Sequence, residues 1–187
     1  MTSELSIATP LDRAVARSLR CGDIVRISGV VYTARDAAHA RMIQSLHSSG
    51  ELPFDIIDQV VYYAGPSPAK PGSVIGSCGP TTAGRMDAFT PDLIDAGLAG
   101  MIGKGPRSVE VMESMQKHGA VYFAAVGGAA ALTSKSIVEA EVIAYEDLGP
   151  EAIRRLVVKD YPCVVAIDAQ GTSIYETGPA LYRAQSV

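Results

Sequence analysis

The sequence predicts an α/β domain built on a mixed sheet. Short β-branched runs alternate along the chain with stretches whose apolar residues recur at helical spacing. Gly-Pro, Gly-Gly and Pro-rich clusters fall between these runs and punctuate them. At 187 residues, 48% hydrophobic and only 19% charged, the chain suits one domain, residues 1–187, with a sizeable core. No internal repeat, low-complexity tract or linker interrupts it.

Each element has its own reason. Thr9-Pro10 in "TPLDRAVARSL" is cap-like and predicts a short helix. "DIVRISGVVYTA" (23–34) alternates and is β-branched, with Gly29 marking a bulge or bend. In "RDAAHARMIQSLHSSG" (35–50), Ala38, Met42 and Leu46 recur every four residues and Gly50 ends the helix. "VVYYAGPSP" (60–68) and "GSVIGSCGP" (72–80) read as strands. Residues 81–88 predict a short helix, and Thr90-Pro91-Asp92 a second helix start with proline in its first turn. "LAGMIGKGP" (98–106) is a small strand ending in a lysine between glycines. "SVEVMESMQKHG" (108–119) is an amphipathic helix capped by Ser108. "AVYFAAVGG" (120–128) is a strand and "AAALTSKSI" (129–137) helical. "EVIAYEDL" and "CVVAIDAQGTSIYE" supply the last strands, the second folded back at a Gln-Gly turn.

Several function classes fall away on composition. A net charge of −4 lacks the basic field that nucleic-acid binding needs, although a local cationic cluster can still hold a small dianion. Cys21, Cys78 and Cys163 are odd in number and far apart, with no CxxC or CxxH spacing, which argues against a disulfide framework or a zinc site. No apolar run approaches the roughly 20 residues that span a bilayer. The N-terminus has no signal-peptide core. The expectation is a soluble, cytoplasmic protein that binds neither membrane nor nucleic acid.

Three motifs could carry chemistry. In "SCGPTTAGRMDAF" (77–89), Thr81 sits where a helix N-terminus is predicted and Arg85 lies one turn on. Unsatisfied N–H groups, a hydroxyl and a guanidinium could meet a carboxylate there. Alternatively, Thr81 only caps and Arg85 is a surface residue. In "MIGKGP", the glycines let backbone approach a ligand beside Lys104, or simply make a tight turn with a solvated lysine. The residue after that lysine is Gly105, so this is not a nucleotide-binding P-loop. In "YTARDAAHARM", Arg35 stands at a strand-to-helix junction, Asp36 suits a first helical turn, and His39 follows one turn later as a packing or a site residue.

Taken together, "TARDAAHARM", "GPTTAGRMDAFTPDLIDAGLAGMIGKGPRS" and "VYFAAVGGAAAL" resemble the β subunit of the class I iron–sulfur fumarate hydratase and L-tartrate dehydratase family. That subunit corresponds to the C-terminal domain of the single-chain class I fumarases. The likeness runs from about residue 5 to about residue 180. It implies a swivelling β/β/α domain with a mixed sheet and packed helices. It implies further that a separate α subunit carries a four-iron four-sulfur cluster on three cysteines, with one iron open to substrate. This chain would hold no metal itself.

By position, the resemblance assigns Thr81 as the catalytic base and Arg35, Arg85 and Lys104 as ligands of the substrate carboxylates. Asp36, His39 and Thr82 would support them from behind. The implied activity is a hydro-lyase reaction, the reversible hydration of fumarate to (S)-malate in the tricarboxylic acid cycle, active only with the α subunit. L-tartrate or mesaconate are alternative substrates. A reading from another class is a non-catalytic module that holds a dicarboxylate. The isolated chain is also free to self-associate through the face meant for its partner.

Overall fold

The computed structural model describes residues 4–125 and 130–185. Seven strands make up one sheet: β1 (Leu5–Thr9), β2 (Ile24–Thr33), β3 (Val60–Tyr62), β4 (Gly100–Gly103), β5 (Val121–Ala124), β6 (Ile137–Ala144) and β7 (Ile153–Ile167). Their order is β1-β2-β3-β4-β5-β7-β6, and β2 also pairs with β7. The first five strands run parallel, while β7 is antiparallel to β2, β5 and β6. The extra β2–β7 pairing closes β2, β3, β4, β5 and β7 into a barrel-like ring, with β1 and β6 on its flanks.

The pairing that closes the ring is irregular. The β2–β7 register shifts between Ile27 and Gly29. Gly29 has φ 121°, and a Cβ there would lie 2.5 Å from the Thr9 carbonyl oxygen. Only glycine fits at this bend, where β1 passes close, while the extra residue of the register shift lies on β7 between Val158 and Tyr161.

Alternation along the strands divides the core in two. Val60 and Tyr62 of β3, Ile102 of β4 and Val121 and Phe123 of β5 face the inside of the ring, where they meet Ile27, Leu156 and Val165. Val61, Met101 and Tyr122 face outward. They are covered by α2 (Asp36–Ser49), α3 (Thr90–Asp95) and α4 (Val109–His118) through Ala38, Met42, Leu93, Ile94, Val111 and Met115. The result is an α/β fold with a mixed sheet and packed helices, in agreement with the sequence reading.

Local chemistry sets the helix ends. Ser108 caps α4 by accepting from the Val111 N–H at 3.4 Å, and α3 carries its proline in the first turn. The first helix, α1 (Arg13–Ser18), starts later than predicted. Asp12 is its cap, accepting from Ala14 and Val15 at 2.7 and 3.1 Å, and Thr9 belongs to β1.

Other expectations change as well. Residues 72–80 form no strand; they contribute one bridge, Ala64 to Pro80. Residues 130–136 split into α5 (Ala130–Thr133) and a 3₁₀ turn, Ser134–Ser136, while residues 126–129 of the predicted segments lie outside the described residues. The Gln170-Gly171 turn is real, but after the Ile167–Ser173 bridge it leads into α6 (Ile174–Gln185) instead of a strand. Among the described residues no helix is long and apolar enough to cross a membrane.

Candidate functional site

Arg35, Thr81, Arg85 and Lys104 all stand at the carboxyl ends of parallel strands. Arg35 follows β2 and precedes α2, and Lys104 follows β4 directly. Thr81 lies between the two continuing strands. Its N–H donates to the Tyr63 carbonyl at 2.7 Å, and its carbonyl accepts from the Lys104 N–H at 3.2 Å. Thr82 pairs with Lys104 as a parallel bridge, and the Ala83 N–H returns to the Lys104 carbonyl at 2.8 Å. Arg85 sits in the 3₁₀ turn Ala83–Met86 that follows. Ligand sites in α/β sheets gather at this end of the strands.

This geometry corrects one expectation. Thr81 does not open a helix, because both its backbone groups are used in sheet-like pairing before any turn begins. Thr82 precedes the 3₁₀ turn and makes no side-chain cap. The anion-attracting N-terminus pictured at Thr81 is therefore absent, and the polar character of the spot comes from side chains.

The two arginines are already engaged by carboxylates. Arg85 donates to Asp36, whose other oxygen lies 4.0 Å from Arg35 Nε. Arg35 Nη2 is 3.2 Å from Glu151, and the second oxygen of Glu151 accepts the Ala37 N–H at 3.1 Å in the first turn of α2. Among the described residues, the Thr81 hydroxyl and the Lys104 ammonium have no hydrogen-bond or ion-pair partner. Lys104 is exposed, Thr81 is half-buried, and Arg85 retains about half of its side-chain exposure (52%). Arg35 and Arg85 thus share Asp36, with Glu151 beside Arg35, while Thr81 and Lys104 are joined through their backbones at the neighbouring strand ends.

His39 lies beneath Arg35. Its ring Nδ1 is 3.0 Å from the Arg35 carbonyl, an acceptor only, so Nδ1 carries the proton. Nε2 is buried and has no hydrogen-bond partner. Burial pushes the imidazole down to about 4, so it is neutral near pH 7. Its ring packs edge-on against Tyr63, 5.4 Å between centroids, linking the Arg35 segment to the residue that holds Thr81.

Cys78 and Cys163 are buried in the inner core, and burial pushes the Cys78 thiol up to about 12. Among the described residues no three His, Cys, Asp or Glu side chains are grouped so as to hold a metal ion. The described residues therefore do not fit an iron–sulfur cluster. A groove of about 350 Å³ between Pro66, Val74, Val142 and Arg154 touches none of the four candidates. The Arg154 guanidinium there is committed to the carbonyls of Gly149, Pro150 and Ala152.

Glu151 and Arg107 escaped the sequence reading. Glu151 carries no local motif. Arg107 had a signal within the quoted motifs: an arginine entering a helix straight after a buried strand, with Asp87 of "GRMDAF" in reach as its carboxylate.

The fold is that of an α/β domain with Arg35, Arg85 and Lys104 at the carboxyl ends of its parallel strands. Residues 2–178 match the Fumarase C-terminus family, and the chain belongs to it. It is 38% identical over 172 residues to a Methanocaldococcus jannaschii protein named "Putative L(+)-tartrate dehydratase subunit beta", covering 89% of this chain and 88% of that one. It is 40% identical over 153 residues to the anaerobic class I fumarate hydratase of Escherichia coli and to the mitochondrial fumarate hydratase 1 of Leishmania major. Those matches cover 80% of this chain but only 28% of either relative.

Proposed function

We propose that this chain is the β subunit of a hydro-lyase that interconverts fumarate and (S)-malate, contributing half of a site completed by an α subunit that carries the iron–sulfur cluster. The observation that supports this reading is the backbone pairing of Thr81–Thr82 with Lys104, which holds a free hydroxyl and a free ammonium on adjoining segments at the strand ends that also carry Arg35 and Arg85. Membership of the Fumarase C-terminus family adds support.

A C4 dicarboxylate is a dianion, and three local cations suit it despite the net charge of −4. The planar forks of Arg35 and Arg85 match carboxylates, and they exchange Asp36 and Glu151 for substrate as it binds. The Thr81 hydroxyl handles the C3 proton of malate. A neutral hydroxyl is a weak base, so Thr81 takes the C3 proton as an alkoxide whose own proton has already passed to solvent, with the neighbouring cations offsetting the cost of that alkoxide before the α subunit closes off the site. His39 stays neutral and holds the Arg35 backbone, Asp36 occupies Arg85 until substrate displaces it, and Thr82 supports the lysine segment.

A second reading, an L-tartrate dehydratase β subunit, is favoured by the archaeal relative, a separate chain of matching length. The test is anaerobic assembly with a cluster-loaded α subunit of the same family and a panel of fumarate, (S)-malate, L-tartrate and mesaconate. Turnover of fumarate and malate bears out the proposal. Turnover of L-tartrate alone moves the chain to the second reading, and no turnover of any substrate by the loaded complex overturns both.

A further inference from the structure

We propose that Arg107 is a positioning residue: one buried guanidinium that fixes the segments carrying Thr81, Arg85 and Lys104 relative to one another. The inference rests on the function proposed above.

The Arg107 side chain is fully buried and ion-paired to Asp87, Nε to Oδ1 at 2.7 Å. Nη2 donates to the Thr90 hydroxyl at 2.8 Å and Nη1 to the Tyr63 hydroxyl at 3.3 Å. Its Cζ lies over both rings, 5.3 Å from the Tyr63 centroid and 5.1 Å from that of Tyr122. A buried charge is a poor device for stability, since apolar side chains of similar volume often do as well or better. What the guanidinium does supply is fixed geometry in several directions at once.

Each contact leads to one candidate. Asp87 directly follows the 3₁₀ turn that bears Arg85, and its second oxygen accepts the Ser108 N–H at 2.7 Å. Thr90 donates to the Met86 carbonyl at 2.8 Å, tying down the same turn. Tyr63 accepts the Thr81 N–H at its carbonyl. Tyr122 donates its hydroxyl to the Gly105 carbonyl at 3.0 Å, next to Lys104. Gly105 has φ 83°, so the turn after the lysine takes a conformation that glycine favours. Gly103 leaves room for both rings, since a Cβ there would meet Tyr63 at 2.9 Å and the Tyr122 hydroxyl at 3.2 Å.

Arg13 offers a matched control. It donates to Asp58 at 2.7 Å and to the carbonyls of Gly97 and His118, all at the amino ends of β3, β4 and β5, opposite the strand ends that carry the four candidates.

The experiment compares Arg107→Lys, Tyr122→Phe and Arg13→Lys in the complex with a cluster-loaded α subunit, reading kcat, KM and melting temperature, with Thr81→Ala and Arg85→Ala alongside. Lysine keeps the charge for Asp87 but cannot bond Tyr63 and Thr90 together or present a flat face to two rings. Arg107→Lys is expected to lower kcat/KM for fumarate by about 30-fold or more, the scale of a small misplacement of reacting groups. Tyr122→Phe, which removes one hydroxyl and keeps the packing, is expected to raise KM about threefold or more with kcat within about twofold, because only the Lys104 turn loosens. Arg13→Lys is expected to lower the melting temperature and leave both kinetic constants unchanged. Wild-type kinetics in Tyr122→Phe, together with an Arg107→Lys that either shifts only melting temperature or does not fold, overturns the proposal. If Thr81→Ala and Arg85→Ala lose rate in that case, only the clamp fails. If those two keep wild-type rates, the site reading itself fails.

Discussion

Arg85 is held by the carboxylate of Asp36, a residue 49 positions earlier in the chain. That ion pair competes with any substrate carboxylate for the same guanidinium. Exposed pairs contribute about 0.2–1 kcal/mol, so the competition is modest. Asp36→Asn is therefore expected to lower the KM for fumarate by roughly two- to fivefold, measured by steady-state kinetics of the assembled complex. A raised KM would mean that Asp36 orients Arg85 and does not merely occupy it.

His39 makes stability depend on pH. Its folded-state value, lowered to about 4, lies below the ordinary 6.5, so the unfolded chain binds the proton more readily. The stability tied to the neutral ring is complete above pH 6.5 and is lost as pH falls towards 4, by roughly 3 kcal/mol in all. Urea unfolding at pH 7 and pH 4 should show a smaller loss in His39→Gln than in the wild type. Equal losses in the two proteins would refute the assignment.

Gly103 has no room for a side chain. An added Cβ would lie 2.9 Å from Tyr63 and 3.2 Å from both the Ala83 Cβ and the Tyr122 hydroxyl. Gly103→Ala is expected to destabilise by about 1–3 kcal/mol, the usual cost of overpacking. It should also lower kcat/KM, because Tyr63 and Ala83 flank Thr81. The urea midpoint and fumarate kinetics check both.

The thiols should differ sharply in reactivity. Cys78 and Cys163 are buried and burial raises both, Cys78 to about 12. Cys21 is half-buried and raised chiefly by burial, then by Asp168. With a chromogenic disulfide reagent at pH 8, the folded chain should react slowly at one cysteine, and at the other two only after unfolding. Fast modification of Cys78 would contradict the packing of the segment before Thr81.

Sequence was most informative where local chemistry decides structure. Ser108 caps α4 and Gly29 takes the bend beside β1 because each position admits few other residues. It was least informative where partners are distant. The segment Leu5–Thr9 becomes a strand only by pairing with β2, and α6 forms despite Gly178 and Pro179 within it. Thr81 was misread as a helix start because its pairing with Tyr63 and Lys104 is nonlocal. Spacing alone left Thr81 as a simple cap and Lys104 as a solvated turn residue open beside any site role, and only the family resemblance assigns Arg35, Thr81, Arg85 and Lys104 a joint one. Glu151 could not be found, because it reaches the start of α2 from 114 residues beyond Ala37.

The central claim is that a hydroxyl and three cations of this chain converge on one dicarboxylate. It is tested most directly by the anaerobic rate of (S)-malate dehydration in the assembled complex carrying Thr81→Ala or Arg85→Ala. Each substitution should cost about 10²-fold or more in kcat/KM, the scale of one positioned catalytic group. Wild-type rates in both would contradict the account.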